Sequence, residues 1–141
     1  MNWTDADRAF MAQAIELATG RMGETWPNPA VGCVLVKDGH VVGQAATAPG
    51  GRPHAEEQAV PAAGDRAAGA TAYVTLEPCG ARSSGRKSCA HFLADAGVAR
   101  VVIACLDPSP FAAGRGTERL RAAGLTVETG LMCEEGAALC E

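Results

Sequence analysis

The order of strand-like and helix-like segments is the feature that most restricts how this chain can fold. A β-rich apolar run over residues 31–37, the turn Asp38-Gly39 and a second run over residues 40–44 predict a β-hairpin. Beyond the hairpin, segments with helical spacing alternate with short β-rich runs. That alternation is typical of an α/β sandwich with a largely parallel sheet.

The N-terminal segment predicts an amphipathic helix. Thr4 and Asp7 match the pattern of a capping box at its start. Its apolar residues then recur at helical intervals, at Phe10, Ala14, Leu17 and Ala18. Gly20 and Gly23 are expected to end the helix.

The remaining elements are predicted from the same periodicities. Helices are expected over residues 54–63, 88–96 and 114–123, strands over 71–76, 100–106 and 125–128, and a short helix near the C-terminus. Pro61 falls inside the first of these helices, where a proline costs about 3 kcal/mol. We therefore expect that helix to stop near Ala59 or to kink, with its first turn intact in both cases.

Size and composition set limits on the class of protein. The 141 residues fit one domain, so we expect residues 1–141 to form a single unit. A formal net charge of −4 argues against a general nucleic-acid binder. No apolar run approaches the roughly 20 residues that span a bilayer, and the N-terminus lacks the regions of a signal peptide. These features predict a cytoplasmic protein that binds neither nucleic acid nor membrane.

The six cysteines are better explained by metal binding or catalysis than by disulfides, because cytoplasmic thiols stay reduced. Cys33 and Cys105 lie in apolar runs and are expected in the core. Cys133 and Cys140 carry no spacing signal that indicates a role. The remaining pair, Cys79 and Cys89, stands beside other residues that carry chemistry.

Three separated residues form a candidate zinc site. His54 begins a predicted helix, Cys79 follows an apolar strand through Glu77-Pro78, and Cys89 stands at the start of a later helix. One imidazole and two thiolates are ligands that suit zinc. Three protein ligands leave the fourth position open, as a catalytic zinc site requires. A thiolate at the start of a helix is stabilised by the exposed N–H groups there.

Glu56 is the candidate catalytic residue. It lies two residues from His54 on the same helical turn, where it can stand beside a metal without binding it and move protons. The pattern H-x-E followed by P-C-x-x-C is the known signature of zinc deaminases. The match is partial, because nine residues separate Cys79 from Cys89. Among the other histidines, we expect His40 to be exposed and His91 to face solvent or to stand behind the ligands.

At these residues the sequence resembles the cytidine-deaminase-like zinc enzymes and, within them, the deaminase domain of riboflavin biosynthesis. The motifs that carry the resemblance are PNPAVGCV at residues 27–34, PHAE at 53–56, ATAYVTLEPC at 70–79, DPSP at 107–110 and AGRG at 113–116. The resemblance implies a three-layer α/β/α sandwich with a central mixed five-stranded sheet. It also implies hydrolytic removal of an amine from a diaminopyrimidinone ribosyl phosphate, with release of ammonia.

The resemblance also implies a role for individual residues. Zinc would be bound by His54, Cys79 and Cys89, and Glu56 would shuttle protons. Asn28 would form a hydrogen bond with the pyrimidine ring, and the backbone N–H of Ala55 would bind a ring carbonyl. The family further implies a small heterocyclic amine as substrate and assembly into a homo-oligomer.

Two departures from the family pattern fall where the family contacts its substrate. The stretch at residues 80–88 is one residue longer than usual and lacks the family's histidines, and Ala46-Thr47 replaces a Tyr-His pair. That stretch contains Arg82, Arg86 and Lys87, which together with Arg52 form a cationic patch and a candidate phosphate site. The alternative is a solvated loop whose charges have no specific partner. The reductase domain that usually follows is not within the 141 residues, which fits a stand-alone deaminase or an excised domain.

Two further functions stay open from the sequence. The first is deamination of a different small heterocycle, base or nucleoside, which the altered substrate loops favour. The second is a zinc-stabilised domain without catalysis, against which Glu56 argues, since a structural site has no use for a general base. Editing of nucleic acid is opposed by the negative net charge and the 4% aromatic content.

Overall fold

A computed structural model describes residues 3–25, 29–79, 88–107 and 113–139. Within these residues the chain forms a five-stranded sheet with helices on both faces. The strands are β1 (Gly32–Lys37), β2 (His40–Ala46), β3 (Thr71–Leu76), β4 (Arg100–Cys105) and β5 (Thr126–Thr129). The helices are α1 (Asp5–Thr19), α2 (Ala55–Ala63), α3 (Cys89–Asp95), α4 (Arg115–Ala122) and α5 (Cys133–Ala138). Short 3₁₀ turns occupy Pro49–Gly51 and Gly64–Ala67.

The sheet is mixed, as the family resemblance implies. Its order is β2-β1-β3-β4-β5, with β1 antiparallel to both of its neighbours. Strands β3, β4 and β5 run parallel to one another. The expectation of a largely parallel sheet is therefore right for this half and wrong for β1, because the hairpin inserts its first strand beside β3 in the opposite direction.

The helices form two layers around the sheet, which confirms the predicted three-layer sandwich. Helices α2, α3 and α4 pack on one face, where the buried residues include Ala55, Ala59, Ala90, Leu93 and Leu120. Helix α1 covers the other face through Met11 and Ala14, and α5 contacts β4. Cys33 and Cys105 are buried as predicted. Among the described residues, no helix combines the length and the apolarity needed to cross a bilayer.

Small residues allow the helices to approach the sheet closely. A Cβ atom built on Gly32 would lie 1.8 Å from the carbonyl oxygen of Ala14, so α1 reaches β1 only because this residue is glycine. On the other face, a Cβ atom on Gly43 would lie 2.5 Å from the carbonyl oxygen of Ala59. This close packing explains how a chain with few aromatic residues fills its core.

Helix α2 continues through Pro61 to Ala63, so the alternative in which it ends near Ala59 is wrong. Pro61 lies on the exposed side of the helix, where its ring does not disturb the core. The N–H of Gly64 donates to the carbonyl of Val60 and closes the last turn. Packing of the alanine face of α2 against the sheet outweighs the local cost of the proline.

Asp7 links α1 to strands β3 and β4. As predicted, Thr4 and Asp7 form a capping box, in which the Asp7 N–H donates to Thr4 Oγ1 at 3.0 Å. The same carboxylate accepts hydrogen bonds from the Tyr73 hydroxyl at 2.6 Å and from the Arg100 guanidinium at 3.0 and 3.3 Å. The Arg100 guanidinium holds the pKa of the Asp7 carboxyl well below its ordinary value.

Replacing Asp7 with Asn is expected to lower the free energy of unfolding by about 3 kcal/mol, because Arg100 and Tyr73 lose a buried carboxylate partner. Since the folded pKa of Asp7 is depressed, its contribution is complete above about pH 4 and is lost as the pH falls through the folded value. The difference between the two proteins in urea unfolding should therefore shrink below about pH 4. The exposed neighbour provides the control: Asp5→Asn should change the free energy by no more than about 0.5 kcal/mol.

Candidate metal centre

The candidate ligands converge at the carboxyl end of β3, where α2 and α3 begin. His54 immediately precedes α2, Cys79 follows β3 by three residues, and Cys89 is the first residue of α3. Their ligand atoms all lie within 4.8 Å of one another. The fold thus brings together residues that are up to 35 positions apart in the chain.

The donor set and its spacing fit a zinc ion. The Nδ1 atom of His54 lies 3.2 Å from Cys89 Sγ. Ligand atoms of a tetrahedral zinc ion are roughly 3.5–3.8 Å apart, so only small shifts separate this arrangement from a bound one. The Cys89 N–H donates to Cys79 Sγ at 3.2 Å, which stabilises negative charge on that sulfur.

Two residues next to His54 hold it in place. Glu57 Oε1 accepts a hydrogen bond from the His54 N–H at 3.2 Å. Gln58 Nε2 donates to the carbonyls of Ala46, Pro53 and His54 at 2.8, 3.0 and 3.3 Å. Neither residue was predicted from the sequence. The position of Glu57, three residues after the residue that precedes the helix, is a capping-box signal that could have identified it; no local signal identifies Gln58.

Glu56 is buried beside the candidate ligands and lines the same cavity. Burial raises the pKa of its carboxyl to about 7, and negative charge on Cys79 adds to the rise, while His54 opposes it. A carboxyl with a pKa near neutrality is able both to take up and to release a proton. The site therefore contains a proton carrier next to a place for a metal.

The cavity is small and partly apolar. Its volume is about 180 Å³. It is lined by Pro29, Val31, Thr47, His54, Glu56, Leu76, Glu77, Cys79, Cys89 and Asp107. Within this lining, the Thr47 hydroxyl accepts a hydrogen bond from the Val31 N–H at 2.9 Å. The Thr47 side chain is thus bound to Val31, which directly precedes β1.

The structure places only some of the other predicted site residues. Ala55 is the first residue of α2, between His54 and Glu56, and its side chain is buried in the core. Arg52 is exposed. The other predicted substrate-binding residues lie outside the described part of the chain: Asn28, Arg82, Arg86 and Lys87.

The two remaining histidines are not among the converging ligands. His40 is exposed at the start of β2, as expected. His91 stands behind Cys89, where its Nδ1 lies 2.9 Å from Ser88 Oγ and its Nε2 accepts from Arg119 at 2.9 Å. Because Ser88 caps α3, this chain of contacts supports the helix that begins with Cys89.

Glu77 joins the end of β3 to the segment that follows β4. Its Oε1 accepts from the N–H groups of Asp107 and Gly114 at 3.2 and 2.9 Å. Its Oε2 accepts from the N–H and the hydroxyl of Thr117 at 2.9 and 2.7 Å. This buried carboxylate fixes the start of α4 and one wall of the cavity. From the sequence, Glu77 was recognisable only as part of a motif, because its partners lie 30 to 40 residues away.

The contacts of Glu77 with Asp107, Gly114 and Thr117 form a clamp on the start of α4. Gly116 permits the close approach that this clamp requires. A Cβ atom built on Gly116 would lie 1.7 Å from the carbonyl oxygen of Pro78. Any side chain there would push α4 away from the residue before Cys79. Glu77 and Gly116 therefore act together to press α4 against the metal-ligand segment.

The chain belongs to a family of zinc-dependent deaminases. The family described as "Cytidine and deoxycytidylate deaminase zinc-binding region" matches residues 4–105, which is more than half of the chain. The cofactor of this family is zinc, and the converging His54, Cys79 and Cys89 provide a donor set for it.

Its relatives include riboflavin biosynthesis proteins. The riboflavin biosynthesis protein RibD of Escherichia coli K12 is 50% identical over 129 residues, which cover 92% of this chain and 35% of that protein. The solved RibD structure of Acinetobacter baumannii is 48% identical with a TM-score of 0.90, over 95% of this chain and 37% of that one. A Thermotoga maritima protein is described as a diaminohydroxyphosphoribosylaminopyrimidine deaminase and 5-amino-6-(5-phosphoribosylamino)uracil reductase. It is 38% identical with a TM-score of 0.87, over 96% of this chain and 39% of that one. The chain thus spans a little over a third of the length of these relatives.

Replacing Glu77 with Gln is expected to lower kcat/KM for ammonia release by about 10-fold, because an amide N–H would face backbone N–H donors and loosen the cavity wall. The free energy of unfolding should fall by about 2 kcal/mol. Glu118→Gln, on the exposed side of α4, is the control and should behave like the unmodified protein. Unchanged kcat/KM in Glu77→Gln would show that the clamp does not shape the site.

Proposed function

We propose that this chain is the deaminase unit of a riboflavin-pathway enzyme. It would hydrolyse an amine from a diaminopyrimidinone ribosyl phosphate and release ammonia. The observation that carries the proposal is the buried carboxyl of Glu56, which lines one cavity together with the converging atoms of His54, Cys79 and Cys89. The identity of about 50% with RibD supports this choice of substrate over other pyrimidines.

In this proposal His54, Cys79 and Cys89 are the zinc ligands. Zinc, when bound, would activate the water that attacks the ring. Two thiolate ligands would offset the charge of the metal, so a nearby base would be needed to take a proton from the water.

Glu56 is proposed to carry the proton. Water adds to the amine-bearing ring carbon and gives up a proton to the Glu56 carboxylate. The carboxyl then returns that proton to the amine nitrogen, the C–N bond breaks, and ammonia leaves. A carboxyl raised by burial to a pKa of about 7 matches both halves of this transfer at neutral pH.

The substrate ring is proposed to be bound by backbone and side-chain groups at the edges of the cavity. Asn28 would form a hydrogen bond with the ring, and the Ala55 N–H would bind a ring carbonyl. Thr47 offers less reach than the histidine usual in the family, and its hydroxyl already binds Val31. The substrate contact at this edge of the cavity therefore differs from the family pattern.

The ribose phosphate is proposed to bind the cationic patch of Arg82, Arg86 and Lys87. In the sequence these residues fall between Cys79 and Cys89, which are in contact at the metal centre. Cationic side chains at such positions are suited to bind a phosphate dianion. The exposed Arg52, two residues before His54, is available to assist them.

A second candidate is deamination of a different small heterocycle, base or nucleoside. It is favoured by the replacement of the family's Tyr-His pair by Ala46-Thr47 and by the changed stretch at residues 80–88. The chemistry would be the same, and only the recognition of the substrate would differ.

The proposal extends to domain organisation, cellular location and assembly. Residues 1–141 would form one deaminase domain that acts on a small molecule in the cytoplasm. The reduced thiols that a zinc site of two cysteines requires support that location. Assembly into a homo-oligomer, which the family implies, stays a prediction.

The Glu56→Gln protein is expected to retain zinc and to lose about 100- to 10,000-fold in kcat, because an amide cannot carry the proton. Zinc content by elemental analysis and ammonia release from the diaminopyrimidinone ribosyl phosphate measure the two effects. Asp65→Asn, just after α2 and exposed, is the matched control. Full activity in Glu56→Gln would remove the proposed role, and absence of turnover in the unmodified protein would favour the domain without catalysis.

The substrate is tested by comparing the ribosyl phosphate with its dephosphorylated form and with free bases and nucleosides. We expect the phosphorylated diaminopyrimidinone to give the highest kcat/KM. The triple variant of Arg82, Arg86 and Lys87 to Ala should raise KM for this substrate at least about 10-fold and leave the dephosphorylated form unaffected, since each lost charge-assisted contact removes more than 1 kcal/mol. Equal effects on both forms would exclude a phosphate site on this loop.

A further inference from the structure

Two cysteines outside the metal centre lie side by side. Cys105 ends β4, and Cys133 is the first residue of α5. Their Sγ atoms are 2.7 Å apart, and the Cys105 thiol also lies 2.7 Å from the carbonyl oxygen of Cys133. The two residues are 28 positions apart in the sequence, so only the fold brings them together. Neither takes part in the proposed deamination.

The surroundings hold the two sulfurs together. Gly136 lies one helical turn after Cys133, and a Cβ atom built on it would lie 3.3 Å from Cys105 Sγ and 3.1 Å from the carbonyl oxygen of Thr75. The glycine thus allows α5 to lie directly against the end of β4. The two thiols differ in accessibility, because Cys133 is exposed and Cys105 is buried.

We propose that Cys105 and Cys133 form a reversible disulfide when the protein meets a peroxide, and that this bond fastens α5 to β4. The exposed Cys133 thiol would react first, giving a sulfenic acid and one water. The Cys105 thiol then attacks that sulfur, the S–S bond forms, and a second water leaves. The two thiols together lose two electrons and two protons, and the peroxide is reduced to water. A small dithiol restores both thiols by exchange.

The location gives the bond a structural consequence. The carbonyl of Cys105 accepts the Glu77 N–H at 2.8 Å, so the strand end that would be fastened also supports the clamp. Asp107, two residues later, lines the cavity. The bond would close a loop that contains α4 and β5, and a closed loop of this length restricts the unfolded chain more than the folded one.

The test uses zinc-loaded protein treated with hydrogen peroxide, followed by mapping of the disulfide. Tryptic cleavage after Arg100 and Arg115 isolates Cys105, but the last tryptic peptide carries both Cys133 and Cys140. The mapping is therefore done in a Cys140→Ser background. We expect a peptide pair joined through Cys105 and Cys133, and a rise of about 10 °C in the thermal midpoint that dithiothreitol reverses.

Cys133→Ser is the matched variant, because it removes one exposed sulfur and leaves the buried thiol in place. Peroxide should then give neither the joined peptides nor the rise in midpoint. Three results would overturn the proposal: first oxidation at Cys79 or Cys89 with loss of zinc, pairing of Cys133 with another molecule, or a stable sulfenic acid at Cys133 that never reacts with Cys105. All of these readouts are independent of the substrate, so failure of the proposed function would not affect them.

Discussion

The buried carboxylate of Glu77 holds together the parts of the structure that the metal centre depends on. Glu77 follows β3, and its oxygen atoms bind the N–H groups of Asp107, Gly114 and Thr117. These contacts satisfy a negative charge in the protein interior and, in return, hold Asp107 near the end of β4 and the first turn of α4. The position of Cys79, two residues after Glu77, is set by the same contacts. The same residue therefore belongs to the local motif Glu77-Pro78-Cys79 and makes the long-range contacts that position α4.

The sequence predicted the parts of the structure that local chemistry determines. The hairpin followed from Asp38-Gly39, the start of α1 from the capping box of Thr4, and the zinc-deaminase fold from the motifs around His54 and Cys79. The order of the strands could not be predicted in this way, because the position of β1 between β2 and β3 depends on contacts across the whole sheet. The same limit applies to the continuation of α2 past Pro61, where tertiary packing overrides a local preference.

Contacts between distant residues were also out of reach. Asp7 was recognised as a helix cap, but its ion pair with Arg100 joins residues 93 positions apart. Cys105 was predicted only as a core residue and Cys133 carried no spacing signal, because the tertiary fold alone brings the end of β4 and the start of α5 together. In the metal centre, the three candidate ligands were predicted from the sequence, but Glu57 and Gln58, which bind the backbone of His54, were not. Residues that hold a ligand in place are harder to predict from the sequence than the ligands themselves, because their residue types are not specific to a metal site.

The connection from Cys79 to Cys89 is fixed at both of its ends. The Cys89 N–H binds Cys79 Sγ, and the Ala90 N–H binds the Cys79 carbonyl at 3.1 Å, so the start of α3 is attached to the end of the β3 segment whatever lies between them. An insertion in the intervening stretch is consequently free to change that stretch without moving either sulfur. The two contacts would therefore tolerate the extra residue that the resemblance to the riboflavin deaminase domain implies between the two cysteines. This attachment also means that, in evolution or in the laboratory, substrate preference and metal chemistry can be altered separately in this scaffold.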